Sequence, residues 1–582
     1  MTGTRNRGDW PTSSTSWQAA LLLAAGLFGA ALTGCRGPAI ADPADTSLDG
    51  SPAPDATTPT PDTTIPDAAF DAAPPPLEPL TFAAPGSLSA PAGLGTFRFG
   101  AATAAAQIED GLTNNDWYWW TLPVEAGGKG KGAAPVGDAV RGFTRALDDI
   151  ALIDELGLDA YRFSIDWSRI EPTRDAVDEP ALDHYDAVID GLVGADVRPM
   201  ITVHHFSSPI WVDDFRTPCA TNALPGDANL CGWGHAEGAE AIIAELAEHA
   251  ALLAQRYGDR VDEWCTLNEP VNYLFAAYGV GMFPPGEDWL ITDFERFTDV
   301  FRNYLRAHVA VYDAIKANDL VDADGDGIAA AVGLSLSVVD WQPARANLPS
   351  DHPDDVAASE RVAYVYHHLY PDALVHGGFD ADLDGSREEP HPDWAGKLDW
   401  LGAQYYFRAG VTAEPSFLPG VEATICFSPL DFGSCLPVED ATKWVPTMHY
   451  EYYEPGIRTI LGDLSERYPG LPLVVTEAGI ATQVGARRAE NVVRTLEQIH
   501  LAIEDGADVR GYYHWSLMDN FEWAEGYEPK FGLYSVELES YERAPTAGAT
   551  VLQALIDTRT LSVQSRETYG GVGPMTPEEG AP

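Results

Sequence analysis

The sequence predicts an α/β chain folded as a single (β/α)8 TIM barrel with long loop insertions. Eight short apolar runs recur along it, amphipathic helical stretches lie between them, and no internal repeat interrupts the series. In order, the strands are expected at residues 97–100, 160–164, 198–203, 263–267, 331–336, 398–405, 473–476 and 509–513. The helical runs between them include 143–156, 236–257, 294–317, 359–369, 456–467 and 486–507. A chain that is 45% hydrophobic can bury a core of this size. In such a barrel the chemistry sits at the C-terminal ends of the strands, so polar residues there are the first candidates.

Outside the barrel the composition changes. Arg5 and Arg7 precede an apolar stretch, residues 19–31, which is too short for a spanning helix and has the layout of a secretory signal. It ends at Leu32-Thr33-Gly34-Cys35, which resembles the bacterial lipoprotein box and implies a lipid on Cys35. Residues 1–35 therefore read as the signal, and 36–92 as a disordered tether dominated by Pro, Ala, Asp and Thr. The barrel is expected at 93–561 and a disordered polar tail at 562–582. The expected location is the cell envelope, lipid-anchored, or the extracellular or periplasmic space.

That compartment bears on the cysteines. Cys219 and Cys231 flank one Pro/Gly/Asn-rich loop and Cys426 and Cys435 another short loop, so two local disulfides are expected. Cys265 beside Trp264 reads as a small buried hydrophobe. The charge balance is 35 Lys plus Arg, only six of them Lys, against 88 Asp plus Glu. A net charge of −53 argues against nucleic acid or an anionic membrane surface as partner, leaving the lipid anchor as the one membrane link.

Two segments, Thr266-Leu267-Asn268-Glu269-Pro270 and Val475-Thr476-Glu477-Ala478-Gly479, each place a glutamate at the end of an apolar strand. Two carboxyl groups brought together from separate strand ends can protonate a leaving group with one and attack with the other, which is the chemistry of glycoside cleavage. Three further motifs stand in order around them. They are the run from Phe99-Gly100-Ala101 to Gln107-Ile108-Glu109, then Tyr161-Arg162-Phe163-Ser164, then Trp515-Ser516-Leu517 through Glu522-Trp523. Together the five motifs resemble glycoside hydrolase family 1, the β-glucosidase family, from about residue 97 to 555.

The resemblance implies roles. Glu269 would be the general acid and base, with its pKa raised by burial and by the charge of its partner. Glu477 would be the nucleophile of a two-step retaining mechanism, kept ionised by Arg162 and hydrogen-bonded by Tyr406. Gln107, His205, Asn268, Glu522 and Trp523 would hold the sugar hydroxyls over Trp515. A carboxylate at Glu522 would repel a phosphorylated sugar. The implied substrate is a β-glucoside or short β-linked oligosaccharide, and no cofactor is required. Alternatives are a β-galactosidase, β-fucosidase or transglycosylase of the same fold, or a catalytically silent carbohydrate-binding lipoprotein. The chain departs from the family pattern at Phe206, Gln404, Tyr450 and Ala478, which bears on sugar and leaving-group preference.

Two acidic loops have the alternating aspartates of a calcium site. Asp322, Asp324 and Asp326 are the stronger structural candidates, and Asp380, Asp382 and Asp384 the weaker.

Overall fold

Eight parallel strands close into a barrel in chain order. They are β1 (Arg98–Ala102), β2 (Ala160–Ser164), β3 (Arg198–His204), β4 (Glu263–Asn268), β5 (Ala331–Arg345), β6 (Trp400–Thr412), β7 (Leu473–Ala478) and β8 (Val509–Trp515). Each pairs with the next, and β8 returns to β1, so the barrel has no free edge. The computed structural model describes residues 76–89, 91–219, 224–426 and 431–578.

Every residue of β1, β2, β4, β7 and β8 is buried. A strand covered by helices outside and filled by side chains inside reads as a continuous apolar run, which is why these eight segments stand out in the sequence. The surrounding helices are capped where the chain needs it. Asp178 accepts from Ala181 N at the start of α1 (Glu179–Gly194), and His235 from Gly238 N at the start of α2 (Ala236–Tyr257).

β5 and β6 run past the barrel. They pair in parallel on through Arg408↔Asp340 to Val411↔Pro343, seven and six residues beyond the expected ends at 336 and 405. This ribbon stands above the C-terminal face. Its outer half carries two short antiparallel partners, Tyr450–Glu451 and Thr424–Ile425.

Both expected boundaries of the folded body move outward. Leu80–Thr81 pairs with Thr560–Leu561, and Phe82 and Leu88 are buried, so the folded unit begins at Leu77 rather than 93. Three apolar side chains anchor a segment whose average composition is that of a tether. At the other end a helix, Val563–Tyr569, follows Leu561, and Met575 is buried, so residues 562–578 are folded rather than a disordered tail. Buried Arg494 satisfies the carbonyls of Tyr569, Gly573 and Pro574 there.

Both disulfides form, Cys219–Cys231 and Cys426–Cys435, and Cys265 is free and buried. The signal-like segment, Cys35 and the tether up to residue 75 lie outside the described residues. Among the described residues no helix is long and apolar enough to cross a membrane.

Candidate active site

β4 ends at Asn268, and the chain leaves it through Glu269 with φ 39° and ψ 59° before the short helix Pro270–Leu274. A left-handed conformation in a non-glycine residue costs about 1 to 3 kcal/mol and persists only where the surroundings enforce it. Here Glu269 N donates to Ser335 O at 2.8 Å, and Tyr273 N donates to Glu269 O at 2.9 Å. Two other candidate site residues share the strain, Phe206 at φ 61° and Trp523 at φ 44°.

On the opposite side of the barrel mouth, Glu477 in β7 is held on both oxygens. Oε1 accepts from Arg162 Nη1 at 2.7 Å and from Gln404 Nε2 at 2.9 Å, and Oε2 accepts from Tyr406 OH at 2.7 Å. The clamp reaches the other strand as well: Arg162 Nη2 and Gln404 Nε2 also donate to Asn268 Oδ1, at 2.5 and 2.7 Å. The four residues Arg162, Asn268, Gln404 and Glu477 thus tie β2, β4, β6 and β7 together in one buried network.

The two glutamates sit in different fields. Burial pushes the Glu269 carboxyl up to about 8, the Glu477 charge adds to this, and the amide of Asn272, donating at 2.8 Å, opposes it. Burial also pushes Glu477 above the ordinary carboxylate range, with Arg162 and Tyr406 pulling back. Arg162 therefore tempers the rise rather than reversing it, which modifies the expectation that it simply keeps Glu477 ionised. A proton shared by the pair rests on Glu269, which lacks the direct guanidinium bond that Glu477 has.

The remaining candidates line the same mouth. Gln107 Nε2 donates to Phe521 O at 2.8 Å and to Glu522 Oε2 at 3.3 Å, while its buried Oε1 has no partner among the described residues. Buried His205 is likewise unpartnered at Nδ1, and burial drives it far below its usual pKa, so it is a neutral ring. Its centroid is 6.0 Å from those of Trp515 and Trp523. Burial and the charge of Glu477 push Glu522 up to about 8, against hydrogen bonds from Trp515 and Gln107. Buried polar atoms without partners are costly, so Gln107 Oε1 and His205 Nδ1 mark places where a hydroxylated ligand gains more than it loses.

Sequence reasoning missed two members. Asn272 lies one helical turn after Glu269, a spacing that places side chains together, yet nothing in its local pattern marks it. Gln404 stood out only as a departure from the family, whereas its extra methylene lets one amide bridge Asn268 and Glu477. Phe206, another departure, stacks on Tyr273 at 5.5 Å and closes the wall beside Trp523.

The first acidic loop lies at the opposite end of the barrel, ahead of β5, whereas in the second the Asp382 backbone lies against Gly420, in the segment beyond the outer end of β6. Asp326 does not join Asp322 and Asp324: it accepts from Ser87 Oγ and Ile328 N, and buried Asp262 takes its place in the cluster. Arg198 already pairs with Asp324. In the second loop Asp380, Asp382, Asp384 and Glu388 bring carboxylate oxygens together.

Residues 94–561 fit the model of glycosyl hydrolase family 1. The chain belongs to glycosyl hydrolase family 1. Within this family the chain is 31% identical over 486 residues to a bifunctional β-D-glucosidase/β-D-fucosidase of Bifidobacterium breve, covering 77% of this chain and 94% of that protein. It is 29% identical over 497 residues to a β-galactosidase of Pyrococcus woesei, covering 77% and 94%. Among solved structures, a β-glycosidase from Pyrococcus horikoshii superposes with a TM-score of 0.66 at 27% identity, over 83% of this chain and 98% of that one. Residues 77–93 and 562–578 fall outside the span fitted to the family model.

Proposed function

We propose that the protein is a retaining β-glycosidase acting on β-glucosides or related short β-linked sugars, with Glu477 as nucleophile and Glu269 as general acid and base. One observation carries the assignment: of two buried carboxyls at facing strand ends, Glu477 is bound by Arg162, Gln404 and Tyr406, while Glu269 is pushed up to about 8.

In the first step a Glu477 oxygen bonds to the anomeric carbon, the bond from that carbon to the leaving oxygen breaks, and the Glu269 proton goes to that oxygen. In the second, Glu269, now ionised, takes a proton from water, the water oxygen bonds to the anomeric carbon, and Glu477 departs. Asn268, pinned by Arg162 and Gln404, is placed to bind a sugar hydroxyl between the two. The names of the relatives, spanning glucosidase, fucosidase and galactosidase, support the substrate class without choosing among the sugars.

The test compares hydrolysis of aryl β-glucoside, galactoside, fucoside, mannoside and 6-phospho-glucoside by wild type and Glu477→Gly. Comparable rates in both proteins would overturn the assignment. We further propose export and lipid attachment at Cys35, supported by the signal-like sequence and consistent with two disulfides. Incorporation of labelled fatty acid that persists in Cys35→Ser would refute it.

A further inference from the structure

Among the described residues only two Phe, Tyr or Trp side chains are exposed, Phe417 and Phe432, and the two touch. They are 52% and 39% accessible, and their ring centroids lie 4.8 Å apart with the planes at 60°. Leu348, 60% exposed, stands beside them. Its neighbour Asn347 donates through the side-chain amide to Asp431 and through its N to Gly433 O at 2.9 Å, and so brackets Phe432 from both sides. The three side chains form one exposed apolar patch in a chain that otherwise buries its aromatic rings, and such patches mark surfaces where something docks.

The patch sits at the tip of the ribbon formed by β5 and β6. Thr412, the last residue of β6, pairs with Thr424, whose Oγ1 accepts from Phe417 N at 3.0 Å. Cys426 N donates to Gly410 O at 2.8 Å, and the backbone of Ser434 packs so close to Gly410 that a Cβ there would strike Ser434 O. The Cys426–Cys435 disulfide joins the two ends of this segment, and Cys435 N donates to Asn347 Oδ1 at 3.1 Å. The backbone that carries the rings is therefore fixed in advance, and little ordering is left for a ligand to impose. From Tyr406, which bonds Glu477, β6 runs on to Thr412, about 20 Å at about 3.3 Å per residue. The patch is thus separate from the sugar pocket, although it stands above the same face of the barrel.

Charge narrows the partner. At a net −53 the chain repels anionic lipid, nucleic acid and a second copy of itself, and exposed Asp431 and Glu414 add carboxylates at the edge of the patch. A neutral glycan meets no such repulsion. In a β-linked glucan the hydroxyls lie around the rim of each ring and leave two faces of C–H groups, which pack on aromatic side chains while the hydroxyls stay in water. We propose that Phe417, Phe432 and Leu348 form a surface site for a neutral β-glucan chain, which docks on the ribbon tip outside the pocket that cuts its terminal sugar. The choice of a glucan rests on the glycosidase reading above.

The test measures depletion of the full-length protein from solution by two insoluble neutral glucans, one β-1,4-linked and one β-1,3-linked, beside kcat/KM for an aryl β-glucoside. Wild type and Glu477→Gly are expected to bind at least one glucan equally well. Phe417→Ala combined with Phe432→Ala should weaken that binding about tenfold or more, the loss typical of truncated aromatic anchors, whereas Phe417→Tyr with Phe432→Tyr keeps the rings and the binding. The alanine variant should stay within about twofold of wild type on the aryl glucoside, because both rings stand outside the pocket. A wild type that binds neither glucan, an alanine variant that binds as well as wild type, or binding lost in Glu477→Gly overturns the proposal. So does a concentration-dependent dimer, or binding to phosphatidylcholine vesicles, that disappears in the alanine variant, since the patch would then serve a second copy or a lipid surface. A wild type that binds glucan but cleaves no β-glycoside would instead defeat the reading of Glu269 and Glu477 and leave the surface site standing.

Discussion

Replacing Gln404 with Leu removes one buried amide while keeping most of the side-chain volume. That amide donates to Glu477 Oε1 at 2.9 Å and to Asn268 Oδ1 at 2.7 Å, so the substitution cuts the direct tie between β4 and β7 but leaves Arg162 and Tyr406 on Glu477. A hydrogen bond to a charged group contributes about 1.5 to 3 kcal/mol. At about 1.4 kcal/mol per factor of ten, kcat/KM should fall roughly 10- to 100-fold, well short of the loss in Glu477→Gly. The pH profile provides an independent reading. Removing a donor from a carboxylate destabilises its ionised form, so the pKa of Glu477 rises further and the acid limb, where Glu477 must be ionised, moves to higher pH. Gln404→Asn, one methylene shorter, should fall between the two. The assay is kcat/KM for an aryl β-glycoside across the pH range. A Gln404→Leu enzyme within about twofold of wild type, with an unmoved acid limb, would refute the bridging role.

The alkaline limb of kcat/KM should fall as pH rises through about 8, where Glu269 loses the proton it must deliver, and Asn272→Ala should move that limb higher because the lost donor had favoured the carboxylate. A limb near the ordinary glutamate range in wild type would contradict this. Glu263 at the start of β4 pairs with fully buried Arg98, so Glu263→Leu should destabilise the barrel by about 3 to 5 kcal/mol in denaturant melts, with kcat unchanged in the folded fraction. Cys219→Ser with Cys231→Ser, opening a loop closed over a separation of 12 residues, should cost about 2 to 3 kcal/mol. No change in the melting temperature would show that the loop is held without the bond.

All eight strands were legible because their barrel portions are buried on both faces and so read as largely apolar runs. The outer halves of β5 and β6 were not, since residues such as Asp340, Gln342 and Arg408 are polar and are strands only because they pair with each other. The ends of the body were misread for a related reason. Average composition hides the effect of Leu80, Phe82 and Leu88 at one end, and at the other the holding groups, Arg494 and Glu490, lie about eighty residues away in sequence. The catalytic candidates were legible through their motifs, whereas Asn272 and the reach of Gln404 depend on side-chain length and direction in three dimensions. The acidic loops mislead in the other direction: an alternating aspartate pattern does not say that Asp326 will turn to Ser87.

Three carboxyl groups, Glu269, Glu477 and Glu522, share the buried mouth, and among the described residues Arg162 is the one guanidinium bonded to any of them. The resting pocket therefore stores protons to balance its charge. A neutral sugar leaves that imbalance untouched, but the oxocarbenium-like transition state brings a positive centre to its middle for an instant. The site is thus a mould for a fleeting cation. A sugar mimic bearing a basic nitrogen at the reacting position would occupy it permanently, release stored protons as it docks, and bind more tightly as the pH climbs toward 8.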